Sequence, residues 1–337
     1  MKSTITIYDV AEKAGVSIST VSKVLNNTGS IAEKTRQKVR KTMRELNYQP
    51  SVVASVKKRI QTIGLLIPSI ANPFMAEVAR SIEDHAKKFG FSLIVCSTDN
   101  DLENEIEYIS ILKQKYVDGI IIATGLKDHK AIRELINAEI PIALLSRDIP
   151  SLAVDTVLVD DFLGGYEATQ YLMSLGHRKI AMITESIDLS VVRARVRGYR
   201  QALEEAGVEY NESLVLLNNT TFDAGKHATR KLLELREPPT AIFASTEFLA
   251  IGAIKGAREL GINIPKDLSV VGFDDTILST VCEPPLTTMA QPIQEMGKKV
   301  VELLVEEIER SKETKQRIVL SPKLVIREST FLNKKDK

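Results

Sequence analysis

Residues 6–25 read TIYDVAEKAGVSISTVSKVL, and this stretch decides the fold of the N-terminal part of the chain. Thr6 and Asp9 have the spacing of a capping box, which predicts the start of a short helix. Gly15 supplies the φ > 0 conformation that a tight turn between helices needs. Ser17 can then cap a second helix that runs to the end of the stretch. Two short helices around a glycine turn predict a helix-turn-helix, whose second helix enters the DNA major groove.

A third helix should follow and close the core of this small domain. Ser30 and Glu33 repeat the capping-box spacing, which predicts a helix start there. Val39, Met43 and Leu46 recur at helical spacing and form an apolar face toward the first two helices. The three helices together predict an all-α N-terminal domain.

The exposed side chains of the second helix and its flanks are the candidates for DNA contact. Short hydroxyl and amide side chains suit phosphate oxygens, and the outward face of the helix reaches base edges. Residues expected to read bases are Ile18, Ser19, Ser22 and Lys23, and those expected to hold phosphates are Thr6, Ser17, Thr20 and Asn26. The alternative, in which these side chains only cap helices and cover the surface, stays open.

Charge is divided unevenly along the 337 residues, whose net charge is +1. Residues 1–60 carry twelve Lys or Arg and four Asp or Glu, a charge of +8, whereas the remainder carries thirty-three and forty, a charge of −7. A basic first domain on an acidic body indicates a polyanionic partner for the first domain alone. An ordinary solvated surface is the alternative explanation of these counts.

The cysteines and histidines predict neither disulfides nor metal sites. Cys96 and Cys282 are too few for a disulfide framework, and the four histidines show no ligand spacing with them. We therefore expect a reducing cytoplasm, no metal and no cofactor. Every apolar run is short and interrupted by charge, Pro or Gly, so we expect neither an export signal nor a membrane segment.

From residue 62 onward, short apolar runs alternate with helical patterns, which predicts an α/β fold with doubly wound parallel sheets covered on both faces. The predicted strands are Ile63–Ile67, Ser92–Cys96, Gly119–Ala123, Ile142–Leu145, Thr156–Val159, Lys179–Ile183, Ala241–Ala244 and Ser269–Gly272, with helices including Phe74–Phe89, Asn104–Lys115 and Gly164–Leu175. Ligands of such folds bind beyond the carboxyl ends of the strands. No glycine-rich phosphate loop follows any of these strands, which argues against a nucleotide enzyme.

Several segments resemble the LacI/GalR (lactose repressor) family of bacterial transcription regulators. They include Thr6–Ala11, Ala14–Ser17 and Thr20–Asn26, then Val159–Phe162, Gly176–Ile180, Val271–Asp275 and Pro285–Thr288. The resemblance covers roughly residues 1–330. Within the family, the chain is similar to catabolite-control-type repressors. The resemblance implies an N-terminal helix-turn-helix domain and a two-lobed domain like the periplasmic sugar-binding proteins.

The resemblance also implies a domain plan: a DNA-binding domain over residues 1–49, a hinge over 50–61, and an effector and dimerisation domain over 62–330. Its lobes would comprise 62–161 with 290–320, and 162–289 with 321–330, leaving a charged tail at 331–337. In the hinge, Val56 and Lys57 are candidate DNA contacts, although Lys57 replaces the family's Leu wedge and a flexible tether is the alternative. Lys23 likewise stands where the family usually has Arg.

Candidate effector-binding residues follow from strand-end positions, aromatic faces and the resemblance: Asn72, Phe74, Arg147, Phe162, Arg195, Phe222, Glu247 and Asp274. Polar groups around aromatic faces favour a sugar or sugar derivative. Arg147, Arg193 and Arg195 favour an anionic one, with surface salt bridges as the alternative. Thr246 and Glu247 replace the family's Asn-Asp pair, so the resemblance does not transfer the identity of the effector.

The functional prediction is a repressor whose affinity for DNA is switched by a small effector through two conformational states. A homodimer is expected because two such domains read a palindromic site, and helix Ala76–Lys88 is a candidate interface. A phosphorylated carrier protein as corepressor is neither required nor excluded. A transporter's solute-binding protein and an enzyme with a DNA-binding appendage are the rivals, and the basic first domain and the lack of a catalytic constellation argue against them.

Overall fold

The computed structural model describes residues 5–25, 29–46, 48, 61–125 and 129–333. The chain divides into two compact units, residues 1–60 and residues 61–337. The predicted contacts Asn26, Val56 and Lys57 lie outside the described residues, as does most of the predicted hinge.

The described residues of the first unit form α1 (Ile7–Ala14), α2 (Ile18–Leu25) and α3 (Glu33–Glu45). The capping box before α1 is confirmed, because the Thr6 amide and hydroxyl both donate to the Asp9 carboxylate at 2.7 Å. The glycine turn is also confirmed, since Gly15 has φ +60°. The core buries Val10, Ala11, Ala14, Val21, Val24 and Val39. The apolar faces of α1 and α2 therefore pack against α3, as the helix-turn-helix prediction requires.

The start of α3 differs from the prediction. Ala32, not Ser30, is the residue that caps it, and the Ala32 carbonyl accepts the amides of Thr35 and Arg36 at 2.9 and 3.0 Å. Ile31 is partly buried against the core of the three helices. Because this packing holds the chain just before α3, the helix begins after Ala32. The apolar face predicted from Val39 to Leu46 does pack on that core.

The second unit contains two six-stranded sheets, each flanked by helices. Its elements are β1 (Thr62–Ile67), α4 (Pro73–Lys88), β2 (Ser92–Ser97), α5 (Leu102–Gln114), β3 (Gly119–Ile122), α6 (Lys130–Asn137), β4 (Ile142–Leu145), β5 (Asp155–Val159), α7 (Asp161–Ser174), β6 (Ile180–Thr184), α8 (Ser190–Glu205), β7 (Val215–Leu217), α9 (Phe222–Leu233), β8 (Ala241–Ala244), α10 (Glu247–Glu259), β9 (Ser269–Asp274), α11 (Ile277–Val281), β10 (Thr287–Ala290), α12 (Ile293–Ile308), β11 (Arg317–Leu320) and β12 (Lys323–Val325).

The strand order defines two lobes. The first lobe has the order β11-β5-β4-β3-β1-β2, and all its neighbours are parallel. The second lobe has the order β12-β10-β9-β8-β6-β7, and it is parallel except for β12. Central strands such as β1, β3, β8 and β9 are buried along their whole length, as expected for sheets covered on both faces. The predicted fold class is confirmed.

Strands β7, β10, β11 and β12 were absent from the sequence prediction. Strands β7, β11 and β12 lie at sheet edges, are partly exposed and are only three or four residues long, which is too short a pattern to predict a strand. Strand β10 begins with Thr287 and Thr288, which are buried despite their hydroxyls. Because β11 pairs with β5 while β12 pairs with β10, the chain changes lobes between them.

Glycines let two helix pairs of the second lobe approach to backbone contact. A Cβ on Gly198 of α8 would lie 2.1 Å from the Phe162 carbonyl oxygen of α7, and one on Gly165 would lie 2.2 Å from the Arg195 carbonyl oxygen. In the second pair, a Cβ on Gly252 of α10 would lie 2.2 Å from the Phe222 carbonyl oxygen of α9. These approaches fix the starts of α7 and α9 against their partner helices.

None of the helices within the described ranges has both the length and the apolar character that crossing a bilayer requires.

Candidate functional site

Arg195 lies at the centre of the candidate site in the second lobe. It is 5% exposed, and its guanidinium is held by Asp161 through two nitrogens at 2.8 Å and by the Ser245 carbonyl at 2.5 Å. Its guanidinium carbon stands 3.6 Å from the centre of the Phe273 ring. Burial alone would lower the pKa of Arg195, but Asp161, Asp274 and Glu185 together raise it. Arg195 therefore stays charged and fixed.

Asp274 ends β9 with a left-handed backbone conformation, φ +110°. The carboxylate is 6% exposed and accepts a 2.7 Å hydrogen bond from the Gln291 side chain, just after β10. Burial raises the pKa of Asp274 to about 7, against the opposing effects of Arg195 and Gln291. Asp274 therefore exchanges its proton near neutral pH, beside a segment where the chain crosses between lobes.

Glu247, the first residue of α10, is buried and satisfied within the protein. Its carboxylate accepts the Thr276 amide at 3.0 Å and the hydroxyls of Thr276 and Ser279. These bonds tie α10 to the start of α11. Glu247 thus acts in the structure as an internal anchor, with both oxygens already engaged.

Sequence reasoning missed Glu185, which follows β6. Its carboxylate accepts the hydroxyls of Thr220 at 2.9 Å and Ser245 at 3.3 Å, and burial raises its pKa, with Arg195 opposing. The same strand-end rule that selected Asp274 would have found it, since Glu185 is a polar residue directly after a buried strand. Gln291 and Ser245 were also missed, because β10 was not predicted and Ser245 contributes a backbone oxygen.

Asp161, Glu185, Glu247 and Asp274 form what we name the carboxylate cluster, around the single guanidinium of Arg195. Electrostatic interactions join its members, since Asp274 is influenced by Arg195, Glu247 and Glu185. The four carboxyl groups outnumber the cation of Arg195, which disfavours a further anion, and Asp274 can accept a hydrogen bond from a hydroxyl group. The cluster therefore suits a neutral polyhydroxylated molecule better than an acidic one.

Arg147 belongs to a separate network in the first lobe. It is 4% exposed and donates to the Thr124 carbonyl at 2.9 Å and to His129 Nδ1 at 3.1 Å. Buried Glu105 lies 3.7 Å from the guanidinium and accepts the Thr124 hydroxyl. Burial lowers the pKa of Arg147, and Glu105 opposes this effect. The buried carboxylate of Glu105 thus neutralises Arg147, which the sequence analysis had considered for an anionic ligand.

Each of the predicted aromatic residues packs against a different neighbour. Phe74 is 6% exposed and packs in the core of the first lobe, below the Asn72 side chain, which caps α4 by accepting the Phe74 amide at 3.0 Å. Half-buried Phe162 stacks on Tyr166 with ring centres 6.2 Å apart. Half-buried Phe222 instead contacts Phe248 at 4.5 Å.

Contacts between the lobes at the strand ends include the following pair within the described ranges. The Ile277 amide of α11 donates to the Glu77 carboxylate of α4 at 3.4 Å. Leu189 packs against Gly125, where a Cβ would lie 2.4 Å from Leu189 Cδ2. The arrangement of the lobes is thus sensitive to groups at the ends of α4, α8 and α11.

In the first unit, α2 presents the predicted DNA-contacting side chains on its outer face. Ile18 is 42% exposed, Ser19 and Lys23 are exposed, and Ser22 is half-buried. Ser17 is exposed and caps α2 by accepting the Thr20 amide at 3.2 Å, and its hydroxyl lies 2.9 Å from that of half-buried Thr20. Thr6 is exposed at the start of α1.

Comparison with known proteins matches both units. Residues 6–51 match the family model for bacterial regulatory proteins of the lacI family, and residues 60–332 match the model for periplasmic binding proteins and the sugar binding domain of the LacI family. The chain belongs to the LacI family of bacterial regulators. It is a DNA-binding transcriptional repressor of this family, as the sequence resemblance implied.

The match to individual LacI-family proteins spans nearly the whole chain. The HTH-type transcriptional regulator DegA of Bacillus subtilis is 49% identical over 330 residues, which cover 96% of this chain and 98% of DegA. Catabolite control protein A of Priestia megaterium is 35% identical over 329 residues, with 97% and 99% covered. These LacI-family relatives are transcription regulators.

Solved LacI-family structures share the fold. The lac repressor dimer bound to operator and the anti-inducer ONPF has a TM-score of 0.80 at 29% identity, covering 97% of this chain and 99% of that chain. The CelR–cellobiose complex has a TM-score of 0.76 at 32% identity, covering 96% and 99%. A LacI-family regulator from Enterococcus faecium with bound ribose has a TM-score of 0.75 at 34% identity, covering 81% and 100%.

Proposed function

We propose that the repressor binds a neutral sugar between its lobes and that this binding switches its affinity for DNA. The observation that carries the proposal is the carboxylate cluster, in which Asp274 offers an acceptor for a hydroxyl group and the carboxyl groups outnumber the cation of Arg195. The cellobiose and ribose complexes of similar proteins support a sugar as the ligand class. A sugar held between lobes favours one lobe arrangement, which changes DNA affinity by the difference in binding free energy between states.

The anionic effector expected from the arginines is not part of this proposal. Arg195 is neutralised by Asp161, and Arg147 lies beside buried Glu105. Arg193 donates to the carbonyls of Ile187 and Asp188 in its own loop. Arg195 and Asp274 remain the proposed hydroxyl-binding pair, and Asn72, Phe74, Arg147, Phe162, Phe222 and Glu247 are proposed to shape the surrounding pocket.

A binding experiment tests the sugar site. Isothermal titration of the full chain with ribose and with cellobiose should detect saturable binding of at least one of them. Asp274→Asn, which retains the shape of the side chain, should weaken this binding about tenfold or more because charged hydrogen bonds to hydroxyls are lost. Asp223→Asn, on the surface of α9, is the control. Equal affinity in the wild-type protein and Asp274→Asn would contradict the proposed site.

For DNA, we propose that the chain forms a homodimer whose two copies of α2 read a palindromic operator. The lac repressor structure is a dimer bound to operator, and palindromic half-sites match a two-fold protein. Ile18, Ser19, Ser22 and Lys23 are proposed to read bases, and Thr6, Ser17, Thr20, Asn26, Val56 and Lys57 to hold or enter the duplex. The proposed domains remain 1–49, 50–61 and 62–330.

Selection of binding sites from random duplexes tests the reading helix. Lys23→Ala should relax base preference at one symmetric pair of positions, because Lys can donate to guanine O6 and N7. Lys41→Ala on α3 should lower affinity uniformly, if at all. An unchanged sequence preference in Lys23→Ala would remove this residue from the proposed readout.

We further propose that the protein acts in the cytoplasm by binding alone, without turnover, as its regulatory relatives suggest. The phosphorylated carrier protein stays outside this proposal, since no described residue argues for it.

A further inference from the structure

The turn that follows β9 holds two consecutive residues in an unfavourable backbone conformation. Asp274, the last residue of β9, has φ +110°, and Asp275 has φ +66°. Residues other than glycine rarely adopt a positive φ, although aspartate tolerates it better than most. Such strain persists only where the surrounding structure fixes the backbone, and it is frequent at binding sites. The contacts that hold this turn therefore decide where the Asp274 carboxyl points.

Hydrogen bonds fix the backbone on both sides of Asp275. On one side, the Asp274 carbonyl accepts the Gln291 amide at 3.2 Å, and the Asp274 carboxyl accepts the Gln291 side chain at 2.7 Å. On the other side, the Glu247 carboxylate accepts the Thr276 amide at 3.0 Å. Between these two anchors, the turn is held by the side chain of Asp275 itself.

Arg327, from the segment after β12, holds that side chain. Its Nη2 lies 2.7 Å from Asp275 Oδ1, and both side chains are 19% exposed. Within the described residues, this oxygen is buried and accepts no hydrogen bond from another group. Arg327 is itself anchored at the start of β10, because its amide donates to the Thr287 hydroxyl and its Nη1 to the Leu286 carbonyl, both at 2.9 Å. The position of the guanidinium is therefore set by β10.

The burial of Asp275 Oδ1 makes its pairing matter for the backbone. A buried carboxylate that loses its only cation costs more free energy than the pair contributes, because its desolvation is no longer compensated. Without the guanidinium of Arg327, the Asp275 side chain would turn toward water and its backbone would leave the positive φ. Asp274 precedes it directly, so the Asp274 carboxyl would then move relative to Arg195.

We propose that Arg327 is a positioning residue for the sugar site: through its ion pair with Asp275 it holds the left-handed turn that orients the Asp274 carboxyl toward the ligand. This role rests on the proposed sugar site and deepens it, because it adds a residue from outside the carboxylate cluster. An ion pair that only stabilises the fold would leave both the affinity for sugar and the ionisation of Asp274 unchanged.

The ionisation of Asp274 tests this role without any sugar. In the wild-type protein, burial raises its pKa to about 7. In Arg327→Gln the relaxed turn should expose the carboxyl, so its pKa should fall toward the ordinary 3.8, whereas Arg327→Lys keeps the cation and should keep most of the rise. Carboxyl-carbon NMR of the full chain labelled at aspartate measures the titration, and the signal is identified by its absence from Asp274→Asn. Arg230→Gln, which removes an ion pair with Glu259 between α9 and α10, is the matched control.

Sugar affinity tests the consequence for binding. Isothermal titration with ribose and with cellobiose should show binding about fivefold weaker in Arg327→Gln, and Arg327→Lys should restore it to within about twofold. In the Asp274→Asn background, Arg327→Gln should cause no further loss, because a residue that acts through another is not additive with it. Arg230→Gln should bind as the wild-type protein does.

The outcomes separate the role of Arg327 from the sugar site itself. An unchanged pKa of Asp274 in Arg327→Gln, unchanged sugar affinity, or the same loss of affinity with and without the Asp274 carboxyl would overturn the positioning role. If Arg327→Gln does not fold, Asp275→Ala removes the other half of the pair and gives the same two readouts. If the wild-type protein binds neither sugar, the proposed sugar site fails, and the pKa of Asp274 still decides whether Arg327 holds the turn.

Discussion

Single residues of the candidate site show how burial changes ordinary chemistry. Asp274 has the same carboxyl as any surface aspartate, but burial raises its pKa to about 7, with Arg195 and Gln291 opposing the rise and Glu247 and Glu185 adding to it. In the first lobe, Glu105 and Arg147 are both buried and neutralise each other. Neither property follows from residue type, because each depends on which charges the fold brings within a few ångströms.

The pH dependence of stability follows from Asp274. Its pKa in the folded protein is above the ordinary value of 3.8, so its contribution to stability is fully present below about pH 4 and is lost as pH rises through about 7. Asp274→Asn, which does not ionise, should therefore gain about 2–3 kcal/mol relative to wild type between about pH 5 and about pH 8. Chemical denaturation of the wild-type protein and of Asp274→Asn, at about pH 5 and at about pH 8, measures this difference. Asp275→Asn, which loses the ion pair with Arg327, should show no such gain, and a pH-independent difference for Asp274→Asn would refute the assignment.

At the level of elements, glycine contacts between helices position the site. Helices α7 and α8 touch through Gly165 and Gly198, and this close packing brings Asp161 at the start of α7 to Arg195 on α8. Helices α9 and α10 touch in the same way through Gly225 and Gly252, which fixes Glu247 at the start of α10. The site is thus built by two helix pairs and not by loops alone.

Gly198→Ala should disturb this arrangement. Its Cβ would meet the Phe162 carbonyl oxygen at 2.1 Å and the Tyr166 amide nitrogen at 2.7 Å, and backbone atoms cannot move aside as a side chain can. We expect a loss of about 2–3 kcal/mol in the free energy of unfolding. Gly261→Ala, where φ is +74° and nothing lies within 4 Å, is the matched control and should cost about 1 kcal/mol through backbone strain alone. Equal losses in chemical denaturation would mean that the helix contact does not matter.

For the whole molecule, we propose that exposed apolar side chains form the surface at which the proposed homodimer associates. Ile277 and Val281 lie one helical turn apart on α11 and are 62% and 66% exposed, and Ile70 before α4 is 57% exposed. Large apolar side chains left this open are typical of an association surface. Ile277 also makes the contact with Glu77 that joins the lobes, so the proposed association and the lobe arrangement would share α11.

Val281→Glu should weaken self-association of the full chain, because it introduces a charge into an apolar contact. We expect the dimer dissociation constant, measured by sedimentation equilibrium, to rise about tenfold or more. Ile187 is 48% exposed and precedes α8, and Ile187→Glu should leave the dissociation constant unchanged. A monomeric wild-type protein, or an unchanged constant in Val281→Glu, would contradict the proposed dimer surface.

The sequence by itself determined the helix-turn-helix and most central strands, because short-range signals decide them. Thr6, Asp9 and Gly15 specify a capped helix and its turn through contacts between near neighbours. Fully apolar runs such as Ile142–Leu145 predict a buried strand. Strand-end position also selected Asp274, the family resemblance selected Arg195, and the fold does bring the two together.

Only the tertiary structure decided the rest, because the remaining features depend on partners distant along the chain. The edge strand β11 exists through its pairing with β5, and β12 through its pairing with β10. The arginines looked like anion binders in the sequence, yet Glu105 and Asp161 neutralise two of them at contacts that no local pattern records. Long-range packing thus places carboxylates beside the arginines for which an anionic ligand had been one of two expectations.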